Sequence, residues 1–538
     1  MHRIARRGLL ALPAAAALPR FALAQGDARP AIRVAVQKIS NSNTLEPLRE
    51  TSNVGQRFVP SFAETLIQVD WMGDLSLRPG LARAWRRVDD RSLELELRPE
   101  ARFHDGTPVD AEAVAWNFGS ERMWGRGESA TPSSGMFTQN TAGAGGKQPP
   151  AEVPAAARRS FPGFERIEVL GRHRLRFVET GADPALEARL TRHGASIHSP
   201  AAFAQAESWL DWARKPVGSG PYRIEEFRPD RSLRLVANDE HWAGRPPLRA
   251  ITFVEVPEVA SRINMLLSGE ADFACDIPPD QIAAIEGDAD FEVLGGLVAN
   301  HRVIAFDKTH AQLRDPRVRL AMAHAVDRQA IVEGLWGGRS RVPPGMQWDF
   351  FGPMLLRDYR TPQHDPEAAR RLLREAGYQG APIPFRVLNN YYTNQVANAQ
   401  VLLEMWKAVG LNVQIEMKEN WSQILEKNAG RAVRDNSNTA FFPDPIGGME
   451  AFGPGGQQWS SGEWTNPEAA EALRALSGTL DLEQRRAAFR RMLEICERED
   501  PAYIVLHQTA NFTAKRRALP WRAAPAFMMD FTAANWAG

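Results

Sequence analysis

Cysteine is nearly absent from this chain: 538 residues carry two, Cys275 and Cys496. Neither lies near the N-terminus, so a lipid-anchored lipoprotein is not expected. In an oxidising compartment the two could pair, or they could remain separate buried thiols. An excess of charge is also lacking. Lys and Arg total 65 and Asp and Glu total 65, so there are no electrostatic grounds for a nucleic-acid partner. No G-x-S-x-G elbow and no H-E-x-x-H helix occurs, which removes the usual marks of a secreted hydrolase. The histidines do not cluster, and His324 has no second ligand at metal spacing. Gly145-Gly146-Lys147 fails the phosphate-loop spacing at both ends, with Thr141 and Gln148 in the wrong places. Acidic pairs abound in so charged a chain and do not by themselves mark a glycosidase.

Long apolar runs are missing too. The one at the N-terminus, Gly8 to Leu18, is interrupted by Pro13 and falls short of the about 20 residues that a spanning helix needs. Arg3, Arg6 and Arg7 precede it and Ala22-Leu23-Ala24 follows, the layout of an export signal cleaved after Ala24. Arg6-Arg7-Gly8-Leu9-Leu10 resembles a twin-arginine signal, with the general secretory route as the alternative. The expected mature chain is exported and soluble, with no cofactor.

What is present in quantity is tryptophan, fifteen residues, and aromatics line ligand clefts as well as cores. The length suggests two or three domains. Along the chain, strands alternate with helices. Ala31 to Val36 reads as a first strand, and Phe58, Phe62, Leu66 and Ile67 suggest a helix. Leu93, Leu95 and Leu97 alternate with charged residues on a half-buried strand. Phe103-His104-Asp105-Gly106 turns into a helix that Asp110 caps, with Val109 and Val114 at staple spacing. That role accounts for His104 and Asp105 without a catalytic or metal reading. Residues 125 to 160 lack hydrophobic periodicity and read as a surface insertion. Gly218-Ser219-Gly220-Pro221 is turn chemistry, read here as glycine reaching positive φ. Tyr222 and Ile224, then Leu233, Leu235 and Ala237, form a hairpin around Arg228 to Ser232. Asp315 and Asp365 each precede a proline and cap a helix.

Five stretches carry more than local structure. G-S-G-P-Y at 218–222 with Asn238, Trp242, Gly244, Pro246 and Pro247 is one, and Phe103 to Val114 is a second. Arg262, Leu266, Gly269, Glu270 and Asp272 give a third, and Ala321 to Arg328 a fourth. Asp365 to Tyr378 completes the set. In order and spacing they resemble the family 5 extracellular solute-binding proteins, the peptide-, nickel- and opine-binding receptors of ABC importers. The resemblance implies an α/β, two-lobed periplasmic-binding-protein fold with an extra domain inserted in the N-terminal lobe. It places lobe one at 25–62, 215–298 and 507–538, the insertion at 63–214 and lobe two at 299–506. It further implies a periplasmic monomer with an ABC permease and ATPase as partners and the solute enclosed by lobe closure.

The ligand is less defined. Peptide-binding relatives use an aspartate in a loop that corresponds to Asn436 to Trp459. Here Asp444 keeps the D-P pair, while Ala440, Phe441 or Phe442 stands where the upstream aspartate is usual. The stretch Leu388 to Tyr392 lacks the arginine of dipeptide receptors. A charged terminus buried without a counter-charge is costly, which weakens the dipeptide reading, and aromatics and amides suit a larger, less charged solute, peptide-like or modified. An opine, a sugar-like compound or a metal chelate are the alternatives, with a secreted hydrolase more remote. The expected pocket is Asn43, Asn390, Tyr391, Trp421, Phe441, Asp444 and Trp459, with core packing as the other role for the phenylalanines.

Overall fold

The computed structural model describes residues 27–125, 146–389 and 391–536. The export segment at 1–24, the stretch 126–145 and Asn390 lie outside the described residues. Among the described residues no helix is long and apolar enough to cross a membrane.

Ten strands make one mixed sheet. Its spatial order is Val413–Lys418, Ile383–Leu388, Val433–Thr439, Phe291–Phe306, Tyr503–Arg516, Phe273–Cys275, Ala31–Val36, Ala250–Glu255, Ser232–Ala237 and Tyr222–Arg228. The two central strands run through both halves of the molecule. Phe291 to Leu297 pairs antiparallel with Ala510 to Arg516, and after a register shift His301 to Ala305 pairs with Tyr503 to Gln508. The irregular step at Val298 to Asn300 lets the sheet change partner and direction, as bulges do. Gly295 precedes it at φ 130°, and a Cβ there would stand 2.0 Å from the Asn511 carbonyl oxygen, so only glycine allows the crossing strands to approach.

Separate apolar cores lie on either side of this crossing. Val34, Phe58, Phe253, Phe273 and Phe531 pack together in the first half. Ile304, Met322, Phe385 and Trp406 do so in the second, and Trp348, Phe489 and Tyr503 form a further cluster beneath the helices Pro467–Ser477 and Leu482–Glu494. A four-stranded antiparallel sheet, ordered Ala82–Arg87, Ser92–Leu97, Arg174–Glu179 and Phe164–Gly171, has its own core around Leu93, Leu95, Phe118 and Phe177. The period-two pattern explains it. The leucines of Ser92–Leu97 face inward, while Glu94 on the other face meets Arg176 at 2.6 Å.

Local signals behave as their chemistry requires. Asp110 accepts from the Ala113 amide at 3.1 Å and Asp365 from that of Ala368 at 2.9 Å. His104 Nε2 lies 2.9 Å from the Gly220 carbonyl, and Asp105 accepts from the Thr107 amide at 2.9 Å, so both residues hold the turn. His324 Nδ1 meets the Gln363 carbonyl at 2.8 Å. Lys147 donates to the Phe203 carbonyl at 3.0 Å, at the end of the helix Pro200–Gln205. Cys275 and Cys496 are separate, free, buried thiols.

Three expectations are corrected. The apolar run from Phe58 to Ile67 splits into a helix, Val59–Phe62, and a strand, Ile67–Val69, because the sheet claims its second part. Gly218 and Gly220 do not have positive φ. A Cβ would lie 2.1 Å from the Phe62 carbonyl oxygen at Gly218 and 2.7 Å from the Phe62 carbonyl carbon at Gly220, so close backbone approach is the reason for glycine there. Finally, the end of the stretch read as a surface insertion is the helix Glu152–Ser160, with Val153, Pro154, Ala156 and Ala157 buried. Alanine-rich helices carry too little apolar contrast to show a clear period in sequence.

Candidate functional site

A cavity opens where the two halves face each other across the crossing strands. Its wall comes from the loop at 47–53, from Arg159 and the turn 191–194, from Tyr391, Tyr392 and Trp421, and from the strand end at 436–441 with Gly447 to Phe452.

The loop is shaped by two buried carboxylates. Glu46 pairs with Arg122 at 3.2 Å and accepts from the amides of Leu48 and Arg49 at 2.8 and 3.0 Å. Glu50 accepts from Ser40 Oγ at 2.7 Å, from the Ser42 amide and hydroxyl at 2.9 Å each, and from Ser52 Oγ. Ser52 then caps the helix Asn53–Gln56, which presents Asn53 and Gln56 to the cavity. Arg49 Nε meets Glu152 at 3.0 Å, tying the loop to the helix that ends beside Arg159.

The opposite wall is the strand Val433–Thr439, whose alternation sends Arg434 to Glu463 at 2.9 Å and Asp435 to Arg302 and Gln395. Burial pushes the Asp435 carboxyl up to about 6 against the pull of Arg302. The guanidinium of Arg302 lies 3.5 Å over the Tyr392 ring. Tyr391 meets Trp421 edge-on at 5.3 Å and Tyr392 at 4.7 Å, which gives one corner of the cavity three rings.

Direct bonds join the two walls. Asn41 Nδ2 donates to the Tyr391 hydroxyl at 3.0 Å, Asn53 Nδ2 to Ser437 Oγ at 3.2 Å, and Thr439 Oγ1 to Asn53 Oδ1 at 2.9 Å. Glu450 is held by Arg189 at 3.3 Å and by Arg192, and Arg192 also lies 4.6 Å over the Phe441 ring. Burial drives His193 down to about 4, so its imidazole is neutral at pH 7. Thr51 Oγ1, Gln56 Nε2, Asn438 Oδ1 and Gln457 Nε2 are buried without a partner among the described residues, and all four residues line the cavity. Such a wall, aromatic at one corner and set with convergent amides and hydroxyls, orients a small polar solute.

Of the residues expected at the pocket, Tyr391, Trp421 and Phe441 line this cavity. Asn43 sits behind the loop in left-handed conformation, with Oδ1 buried and unpartnered among the described residues. Asp444 faces Arg485 at 2.7 Å and accepts from the Ile446 amide at 3.0 Å, away from the wall. Trp459 stands one residue beyond the lining Gln457 and Gln458, and Asn390 is outside the described residues. Sequence reasoning missed Asn53, Thr439, Arg159, Arg192 and Glu450. Val153, Ala156 and Ala157 stand at helical spacing in the helix that carries Arg159, a contrast too weak to reveal it in sequence.

Comparison with known proteins agrees with this architecture. The chain is 27% identical over 448 residues to the Glutathione-binding protein GsiB of Escherichia coli O1:K1 / APEC, covering 81% of this chain and 78% of that protein. Its structure is similar to that of a dipeptide binding protein from Pseudoalteromonas sp. SM9913 in complex with Met-Leu, at TM-score 0.79 and 20% identity over 93% of this chain and 98% of the other. It is similar also to MoaA from A.tumefacien R10 in complex with mannopinic acid, at TM-score 0.78 and 18% identity over 94% and 99%. The family model for bacterial extracellular solute-binding proteins, family 5 Middle, matches residues 76–460. The chain belongs to the family 5 bacterial extracellular solute-binding proteins.

Proposed function

We propose that this protein is the receptor that captures a peptide-like small solute outside the inner membrane and delivers it to the permease and ATPase of an ABC importer. The carrying observation is the cavity between the halves, whose two walls bond directly through Asn53, Ser437 and Thr439. A solute that bridges both walls favours the closed arrangement by its differential affinity, and closure is what a transporter can read. The relatives that match are solute-binding receptors, and one is named for a tripeptide thiol.

In this reading lobe one comprises 25–62, 215–298 and 507–538, the inserted domain 63–214 and lobe two 299–506. The separate cores and the two crossing strands support that division. The chain works as a monomer, exported by a signal cleaved after Ala24.

A thermal-shift panel of glutathione, di- and tripeptides, opines, oligosaccharides and nickel chelates tests the proposal, together with mass spectrometry of what co-purifies. A solute at 100 times its dissociation constant should add about 2.7 kcal/mol of stability. Peptide-like members should raise the midpoint. A panel in which only sugars or chelates do so would replace the peptide-like reading.

A further inference from the structure

Five residues of the cavity wall carry a carboxylate, a guanidinium or an imidazole: Glu50, Arg159, Arg192, His193 and Glu450. Four of them are accounted for within the protein. Three serine hydroxyls and an amide surround Glu50. Glu450 and Arg192 hold each other, with Arg189 on the second oxygen of Glu450. His193 is neutral.

Arg159 is different. It occupies the last turn of the helix Glu152–Ser160, half-buried, and makes no hydrogen bond or ion pair among the described residues. Burial, together with the like charge of Arg192, lowers its guanidinium to about 10, against the opposing pull of Glu450, so it remains a cation at pH 7. A cation withdrawn from water without a counter-charge is unfavourable, and a planar fork of donors matches a carboxylate in two parallel bonds. Arg192 cannot serve in its place, because Glu450 already neutralises it.

We propose that Arg159 is the anion-binding residue of the cavity, pairing with a carboxylate of the solute and restricting the receptor to carboxylate-bearing ligands. This rests on the solute-receptor reading and deepens it. The expected aspartate for a ligand amino group is absent from the wall at Ala440 and Phe441, yet a cation for a carboxylate is supplied from the inserted domain. Arg159 is therefore the charged side chain of the wall that no described residue bonds, and the solute it suits is one whose carboxylate is not masked as an amide or ester.

The experiment pairs each free-acid probe with a counterpart whose carboxylates are masked. Glutathione and its diethyl ester, and trialanine and its C-terminal amide, are titrated by calorimetry into the full mature chain and into Arg159→Gln and Arg159→Lys. The acids should bind at least tenfold more tightly than the masked forms. R159Q should weaken the acids and abolish that preference, and R159K should restore it in part. Equal binding of acid and masked forms, or acid binding unaffected by R159Q, would overturn the proposal. If a sugar or other uncharged solute of the wider panel binds and no carboxylate does, the anion assignment falls while the receptor reading stands.

A readout without ligand runs beside it. R159Q relieves an uncompensated cation, so its unliganded thermal midpoint should equal or exceed that of the parent. A lower midpoint would make Arg159 a structural residue and would also overturn the proposal.

Discussion

Thr439 Oγ1 donates to Asn53 Oδ1 across 2.9 Å, joining a helix near the start of the chain to a strand 386 positions later. The same hydroxyl accepts from Asn300 Nδ2 at 2.9 Å, and Asn300 Oδ1 accepts from Thr509 at 2.6 Å. Asn300 and Thr509 sit on the two strands that cross between the halves, at the register shift. The bond between the two walls is thereby continuous with the register shift of the crossing strands.

Replacing Thr439 by valine keeps the β-branched shape and removes both hydroxyl bonds. Each is worth about 0.5–1.5 kcal/mol, so solute affinity should fall by roughly 5- to 150-fold, mainly through faster release. Asn53→Ala should weaken binding similarly, and the double variant should be less than additive because the two share one bond. Calorimetry on the four proteins checks this. Additive losses would show that the two residues act separately.

Asp444→Asn should act on stability. It weakens the pair with Arg485 and leaves the cavity wall intact. A loss of about 1.5–3 kcal/mol is expected in urea unfolding, with solute affinity unchanged. A large affinity loss at unchanged stability would instead put Asp444 in contact with the ligand.

Gly218→Ala introduces a Cβ 2.1 Å from the Phe62 carbonyl oxygen and 2.9 Å from Ala63 Cα, both backbone atoms that cannot step aside. Overpacking of this kind costs about 1–3 kcal/mol, so the thermal midpoint should drop by several degrees. An unchanged midpoint would mean that the two segments separate at no cost.

Partial burial lowers the His193 imidazole to about 4 in the folded chain, against 6.5 when exposed. As pH falls below about 6.5 the unfolded chain takes up a proton that the folded chain refuses, so this residue removes stability until pH nears 4. The slope is at most about 1.36 kcal/mol per pH unit. His193→Asn should flatten the stability profile between pH 6 and 4.5 by up to one proton, read from urea unfolding at stepped pH. An unchanged slope would show that the imidazole protonates as freely in the folded protein.

Much of the fold is legible in the sequence because it is set by short-range chemistry. Leu93, Leu95 and Leu97 can face one core only as a strand, and Asp110, Asp315 and Asp365 cap helices wherever the chain places them. The ordered motifs between Phe103 and Tyr378 identify the family for the same reason, since each is a turn or cap with few chemical solutions. The aromatic corner of Tyr391 and Trp421 is readable from residue type.

What tertiary structure decides is which charges meet. The distance from Glu450 to Arg189 and Arg192, about 260 positions in sequence, vanishes only when the turn after the helix Leu186–Arg189 packs against the strand end beyond Thr439. The same packing draws Asp444 to Arg485, turns Gly218 against Phe62, and leaves Arg159 facing the cavity without a partner among the described residues. Periodicity and capping act over a few residues and are written along the chain. Charge compensation acts through space, so the sequence alone determined the kind of receptor, while the folded arrangement decided which charge its cavity keeps for a solute.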